Sequence, residues 1–131
     1  MSCRTVSLLA SVLFVVFLAP KAWALPAIHK QFLETYKESK IAEPAKEAKC
    51  NVCHFGETKK NRNDYGTAIS KLFNRAKYDE LKSDKEQLNA TIEAALKKVE
   101  RKKSVSGKLF GELIKAGKLP GTAPKEEESA E

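Results

Sequence analysis

Cys50-Asn51-Val52-Cys53-His54 is the stretch on which the reading of this 131-residue chain turns. Its CxxCH spacing is the attachment signature of haem c. Placed in the last turn and a half of a helix, positions i, i+3 and i+4 share one face, so Cys50, Cys53 and His54 point the same way. The two thiols can then bond one porphyrin as thioethers. The imidazole ligates the iron through one nitrogen and turns its other N–H to an acceptor. Three readings compete: a Cys50 to Cys53 redox disulfide, half of a zinc site, and coincidence. A thioredoxin-like motif wants a preceding strand, and Lys46 to Lys49 offers nothing β-like. A zinc site needs four ligands, and after residue 24 the chain holds only two cysteines and two histidines.

The N-terminus supports haem attachment, because it reads as an export signal. Arg4 gives a short positive start, Leu8 to Leu18 is an uncharged apolar run, and Ala22-Trp23-Ala24 has the small-x-small form of a cleavage site. The run is about half of the ~20 residues a membrane-spanning helix requires, and no later segment is apolar enough to span. Residues 1–24 are therefore expected to be a cleaved signal peptide, residues 25–121 one domain, and residues 122–131 a disordered acidic tail. The expected location is the periplasm. Cys3 precedes the apolar run and leaves with the signal, so only Cys50 and Cys53 remain. Removing Arg4 and Lys21 from 24 basic residues leaves 22 against 17 acidic ones, a charge of +5. The only Met and the only Trp also lie before residue 25.

From Leu25 onward the periodicity is helical and predicts an all-α class with about four to five helices. Ile28, Phe32, Leu33 and Tyr36 stripe a first helix that should end before Pro44. A short helix from about Ala45 is expected to carry the motif, and Gly56 to Asn63 reads as a loop. Asp64 is a candidate cap for a helix holding Tyr65, Ala68, Ile69, Leu72 and Phe73. Ser83 with Glu86 forms a capping box before Leu88, Ile92, Ala95, Leu96 and Val99. Ser104 or Ser106 should open a last helix with Leu109, Phe110, Leu113 and Ile114 inside and Gly117 as its stop. About a hundred residues bury only a modest core, which a haem would enlarge.

A helix ending in CxxCH, then a loop, then several helices resembles the class I cytochrome c fold, across about Leu25 to Gly121. Cys50-Asn51-Val52-Cys53-His54-Phe55-Gly56, Asn63-Asp64-Tyr65-Gly66 and Gly107-Lys108-Leu109-Phe110-Gly111-Glu112-Leu113-Ile114 to Gly121 are also similar to a group of small exported bacterial haem proteins. The resemblance implies thioether bonds at Cys50 and Cys53 and a proximal iron ligand at His54. Two departures stand out. Class I members bring a Met to the distal side, and no Met follows residue 24, so a His/Met site is excluded for the monomer and a lower potential is expected. The family also places a Pro soon after the motif to accept the imidazole N–H, and no Pro lies between His54 and Pro120.

The sixth iron position stays open among three readings: His29 as distal ligand, an open or water-filled site, and a Lys, Tyr or Asn ligand. Tyr65 and Arg62 are candidates to pair with a haem propionate, with core packing the competing reading for Tyr65 and solvation for Arg62. Phe32, Tyr36, Phe73 and Phe110 are candidates to line the porphyrin. Lys59, Lys60 and Arg62 can steer an acidic redox partner, whereas Lys97, Lys98, Arg101, Lys102 and Lys103 read as a solvated face. No aromatic-interleaved basic motif points to nucleic acid. The leading expectation is a non-enzymatic electron carrier working between redox partner proteins with acidic docking surfaces. The alternative is a haem protein that binds or senses a diatomic gas at an open distal position. A peroxidase is disfavoured, because only His29 is present to act as its distal acid/base.

Overall fold

The computed structural model describes residues 25–57 and 60–123. The expected signal, Lys59 and residues 124–131 of the expected tail lie outside them. The described residues form six helices, α1 (Pro26–Thr35), α2 (Ala42–Ala48), α3 (Asp64–Ser70), α4 (Arg75–Leu81), α5 (Lys85–Val99) and α6 (Phe110–Lys115). A two-stranded antiparallel hairpin, β1 (His54–Phe55) with β2 (Asn61–Arg62), interrupts them. The chain is mostly helical, as its periodicity predicts, but with six helices rather than four to five. The loop expected at Gly56 to Asn63 contributes one strand of the hairpin.

Helix α5 is the organising element. Its Leu88, Ile92, Ala95, Leu96 and Val99 are all buried, as the predicted stripe requires, and α1, α3 and α4 pack against it. Phe32 and Tyr36 come in from the α1 side, Tyr65 and Ile69 from α3, and Phe110 and Ile114 from α6. The aromatic rings touch in sequence. Phe32 lies 4.7 Å from Tyr36 and 6.0 Å from Tyr65, and Tyr65 lies 5.1 Å from Phe110. Burying each such side chain stabilises by about 1.5–3 kcal/mol, and edge-on ring pairs add to this.

Several boundaries move, each for a local reason. Asn63, not Asp64, caps α3, its side chain accepting from the Gly66 N–H. Asp84, not Ser83, caps α5 by accepting from the Gln87 N–H. The segment expected as one helix through Phe73 breaks after Ser70, because Asn74 caps a separate α4 by accepting from Lys77 N–H. Leu72 then lies in the break and is 38% exposed, while Phe73 stays buried. Helix α6 begins at Phe110 rather than near Ser104, since residues 103–109 close a turn in which Ser104 N–H bonds the Lys108 carbonyl. The Glu112 carboxylate then caps α6 by accepting from Leu109 N–H. Gly117 does end α6. With φ +74° it lets Gly117 and Lys118 N–H bond back to the Ile114 and Leu113 carbonyls, which closes the helix.

Candidate functional site

The pentapeptide is not carried at the end of a helix, which corrects the sequence expectation. Helix α2 starts earlier, at Ala42, with Pro44 in its first turn, where a missing N–H leaves no helical bond unmade. It ends at Ala48 because Lys49 adopts φ +51°, the one positive φ at a non-glycine among the described residues. Lys49–Val52 then form a 3-10 turn, closed by a 3.2 Å bond from Cys53 N–H to the Cys50 carbonyl. In this tighter helix positions i and i+3 eclipse. Cys50 and Cys53 therefore keep a common side by a different geometry from the one predicted, while His54 leaves the turn and enters β1.

His54 is held by the hairpin. Its backbone pairs across the strands with Arg62, and its ring Nδ1 lies 3.1 Å from the Asn61 carbonyl oxygen. A carbonyl only accepts, so this contact requires the hydrogen on Nδ1; in the neutral ring the lone pair then belongs to Nε2. Asn61 thus supplies the acceptor that no proline provides.

Asn63 fixes the loop from behind. Its backbone N–H bonds the Cys53 carbonyl at 3.0 Å, its Nδ2 donates to the Val52 carbonyl at 3.1 Å, and its Oδ1 accepts from Gly66 N–H at 2.9 Å. The side chain is buried, as is Val52. Gly66 is needed for the approach, because a Cβ there would collide with the Cys53 carbonyl oxygen, and a Cβ at Gly121 would run into the Asn63 side chain. Sequence reasoning missed Asn61 and Asn63. Asn63 carries a helix-cap signal, but its grip on Val52 depends on a hairpin that was not foreseen.

Both cysteines are free thiols. Cys50 is exposed and Cys53 half-buried. Burial pushes the Cys53 thiol up to about 12, aided by Cys50 and opposed by Arg62. A protonated thiol is a poor metal ligand, and no group of three or more His, Cys, Asp or Glu able to hold a metal ion occurs among the described residues. A hollow of about 400 Å³ beside the motif is lined by Asn51, His54, Phe55, Gly56, Asn63 and Gly121, among others. By residue type the donor set, two thiols three residues apart and an imidazole next to the second, fits a haem c; His54 lines the hollow and the two cysteines do not.

The other candidates fall elsewhere. His29 is half-buried where α1 meets α2, with Nε2 3.4 Å from the Ala45 carbonyl oxygen. Tyr65 is fully buried between Phe32 and Phe110, and its hydroxyl has no hydrogen-bond partner. Burial holds that hydroxyl well above the ordinary tyrosine range, with Tyr36, Cys53 and Glu100 adding to the effect. Phe32, Tyr36, Phe73 and Phe110 belong to one cluster of buried side chains at the centre of the domain. The basic residues regroup. Lys97 pairs with Glu100 and lies over the Tyr36 ring, while Lys102 and Lys103 meet Arg62 across a cleft. Among the described residues no helix is long and apolar enough to cross a membrane. No protein-family model, curated protein or solved structure matches this chain.

Proposed function

We propose that this chain is an exported c-type cytochrome that carries one haem and passes single electrons between redox partner proteins in the periplasm. Cys50 and Cys53 would hold the group as thioethers and His54 would ligate its iron, which supplies a one-electron couple when bound. The observation that carries the reading is the His54 Nδ1 contact with the Asn61 carbonyl inside a CxxCH sequence. In the neutral ring that contact puts the hydrogen on Nδ1 and so favours Nε2 as the ligating atom, and it limits ring rotation. Asn63 and Gly66 do the same for the thiols by fixing the Val52 and Cys53 carbonyls.

The test is direct. Protein purified from a cell able to make haem thioethers should gain the mass of one haem and keep its colour on a denaturing gel. Cys50→Ala with Cys53→Ala should abolish both, and His54→Ala should remove the proximal ligand. A colourless wild-type band overturns the reading. The gas-binding alternative is favoured by one observation: His29 Nε2 faces the Ala45 carbonyl, which occupies one of the two nitrogens of the only other histidine after residue 24. Rapid carbon monoxide binding to the ferrous protein would select that alternative, whereas a six-coordinate ferrous haem indifferent to carbon monoxide would select the carrier.

A further inference from the structure

A cleft of about 470 Å³ runs between β2–α3 and the turn that follows α5. Arg62 and Lys71 stand on one side of it and Lys102 and Lys103 on the other, all four exposed. The single acidic residue among the described residues that line it, Asp64, is committed to backbone donors, accepting from the Tyr65 and Thr122 N–H groups at Oδ1 and from Val105 N–H at Oδ2. Six ion pairs occur among the described residues, and they engage Lys37, Lys46, Arg75, Lys77, Lys82 and Lys97. None involves a cation of the cleft. What sets these four cations apart is that they face one another across opposed walls, which concentrate their positive charge. Ala68, Phe110 and Val105 also line the cleft, and Val105 is 72% exposed at its edge.

We infer that this cleft is a docking site for an acidic segment of a partner protein, its carboxylates between the two pairs of cations and an apolar side chain against Val105. A protein segment fits better than a nucleic acid, because Phe110, the one aromatic ring among the described residues lining the cleft, is 1% exposed and offers no stacking face. A membrane surface is flat and would not enter the cleft. Arg62 lines the cleft and is also the cross-strand partner of His54, so a segment seated here lies one strand away from the motif. The inference deepens the electron-carrier reading and depends on it only for calling the occupant a redox partner.

The test uses the full chain and a dye-labelled synthetic oligoglutamate peptide bearing one leucine, read by fluorescence anisotropy. Binding should appear at low ionic strength and weaken about tenfold or more near physiological salt, as screening requires. Lys102→Glu with Lys103→Glu should lower affinity at least about tenfold, while Lys37→Glu with Lys46→Glu, the same change in net charge, should leave it within about twofold. Equal losses in both variants would show a response to net charge alone and overturn the site. A peptide that binds only after Glu126→Gln, Glu127→Gln and Glu128→Gln would show that the chain's own acidic end fills the cleft, which also overturns partner docking. Repeating the titration with Cys50→Ala/Cys53→Ala protein separates the two readings. A colourless wild-type gel with cleft-specific binding ends the haem assignment and keeps the docking surface, and a coloured band without such binding does the reverse.

Discussion

Asn63 shows how one short side chain can set the geometry of the Cys50 to His54 stretch without belonging to it. It spans the 3-10 turn and the start of α3, and it is 3% exposed, so losing it strands the Val52 carbonyl and the Gly66 N–H in a dry interior. Asn63→Ala should cost about 2–4 kcal/mol, combining a lost helix cap with an unpaired buried acceptor. Asn63→Asp keeps the cap but sets a buried carboxylate oxygen against the Val52 carbonyl oxygen, so it should cost at least about as much as Asn63→Ala. Gly66→Ala should destabilise by about 1–3 kcal/mol, because its methyl group meets backbone at Cys53 rather than a side chain able to rotate away. Urea unfolding midpoints measure all three, and a wild-type midpoint for Gly66→Ala would refute the close approach. At this scale the cysteines and His54 were legible in the sequence, since their spacing is local. Asn61 was not, because its role depends on a carbonyl oxygen that any residue type supplies.

Helices α1 and α5 were legible because their apolar stripes are long enough to outweigh local ambiguity. The turn carrying the motif was not. Lys49 reads as a good helix former, yet it takes a positive φ that side-chain residues rarely adopt. The single helix expected at residues 64–73 failed differently: apolar residues continue at helical spacing through Leu72 and Phe73, but Asn74 competes for the backbone and starts α4. Cap position is the most checkable of these differences. Asp84→Ala should lower stability by about 1 kcal/mol by freeing the Gln87 N–H, while Ser83→Ala should change it by less than about 0.5 kcal/mol. The reverse ranking in thermal melts would restore Ser83 as the cap.

Across the whole molecule, stability should depend on pH through the contact joining the end of α1 to the end of α5. Tyr36 donates to Glu100 Oε1 at 2.6 Å, and Lys97 donates to the same oxygen at 2.9 Å. Burial works to raise the Glu100 carboxyl, but these two hydrogen bonds outweigh it and hold the group below its ordinary value of 4.5. A lowered value in the folded state means stability that is present above pH 4.5 and is lost as pH falls through the folded value. Burial also holds the Tyr36 hydroxyl well above 10.0, so a second loss follows as pH rises past the ordinary tyrosine value. Tyr36→Phe should lower stability at neutral pH by about 1–2 kcal/mol and flatten the acid limb. An acid limb of unchanged steepness in denaturant titrations would count against the contact. The helical class was legible from composition and period, whereas the basic cleft was not, since Arg62 and Lys102 lie far apart along the chain and only folding brings them together. The Asp64 carboxylate has a mechanical consequence. It fastens Thr122, close to where the described chain ends, to the first residue of α3. A pull applied beyond Ala123 would load that knot before any helix, and its slipping would tug on the same α3 terminus that backs the Cys53 carbonyl.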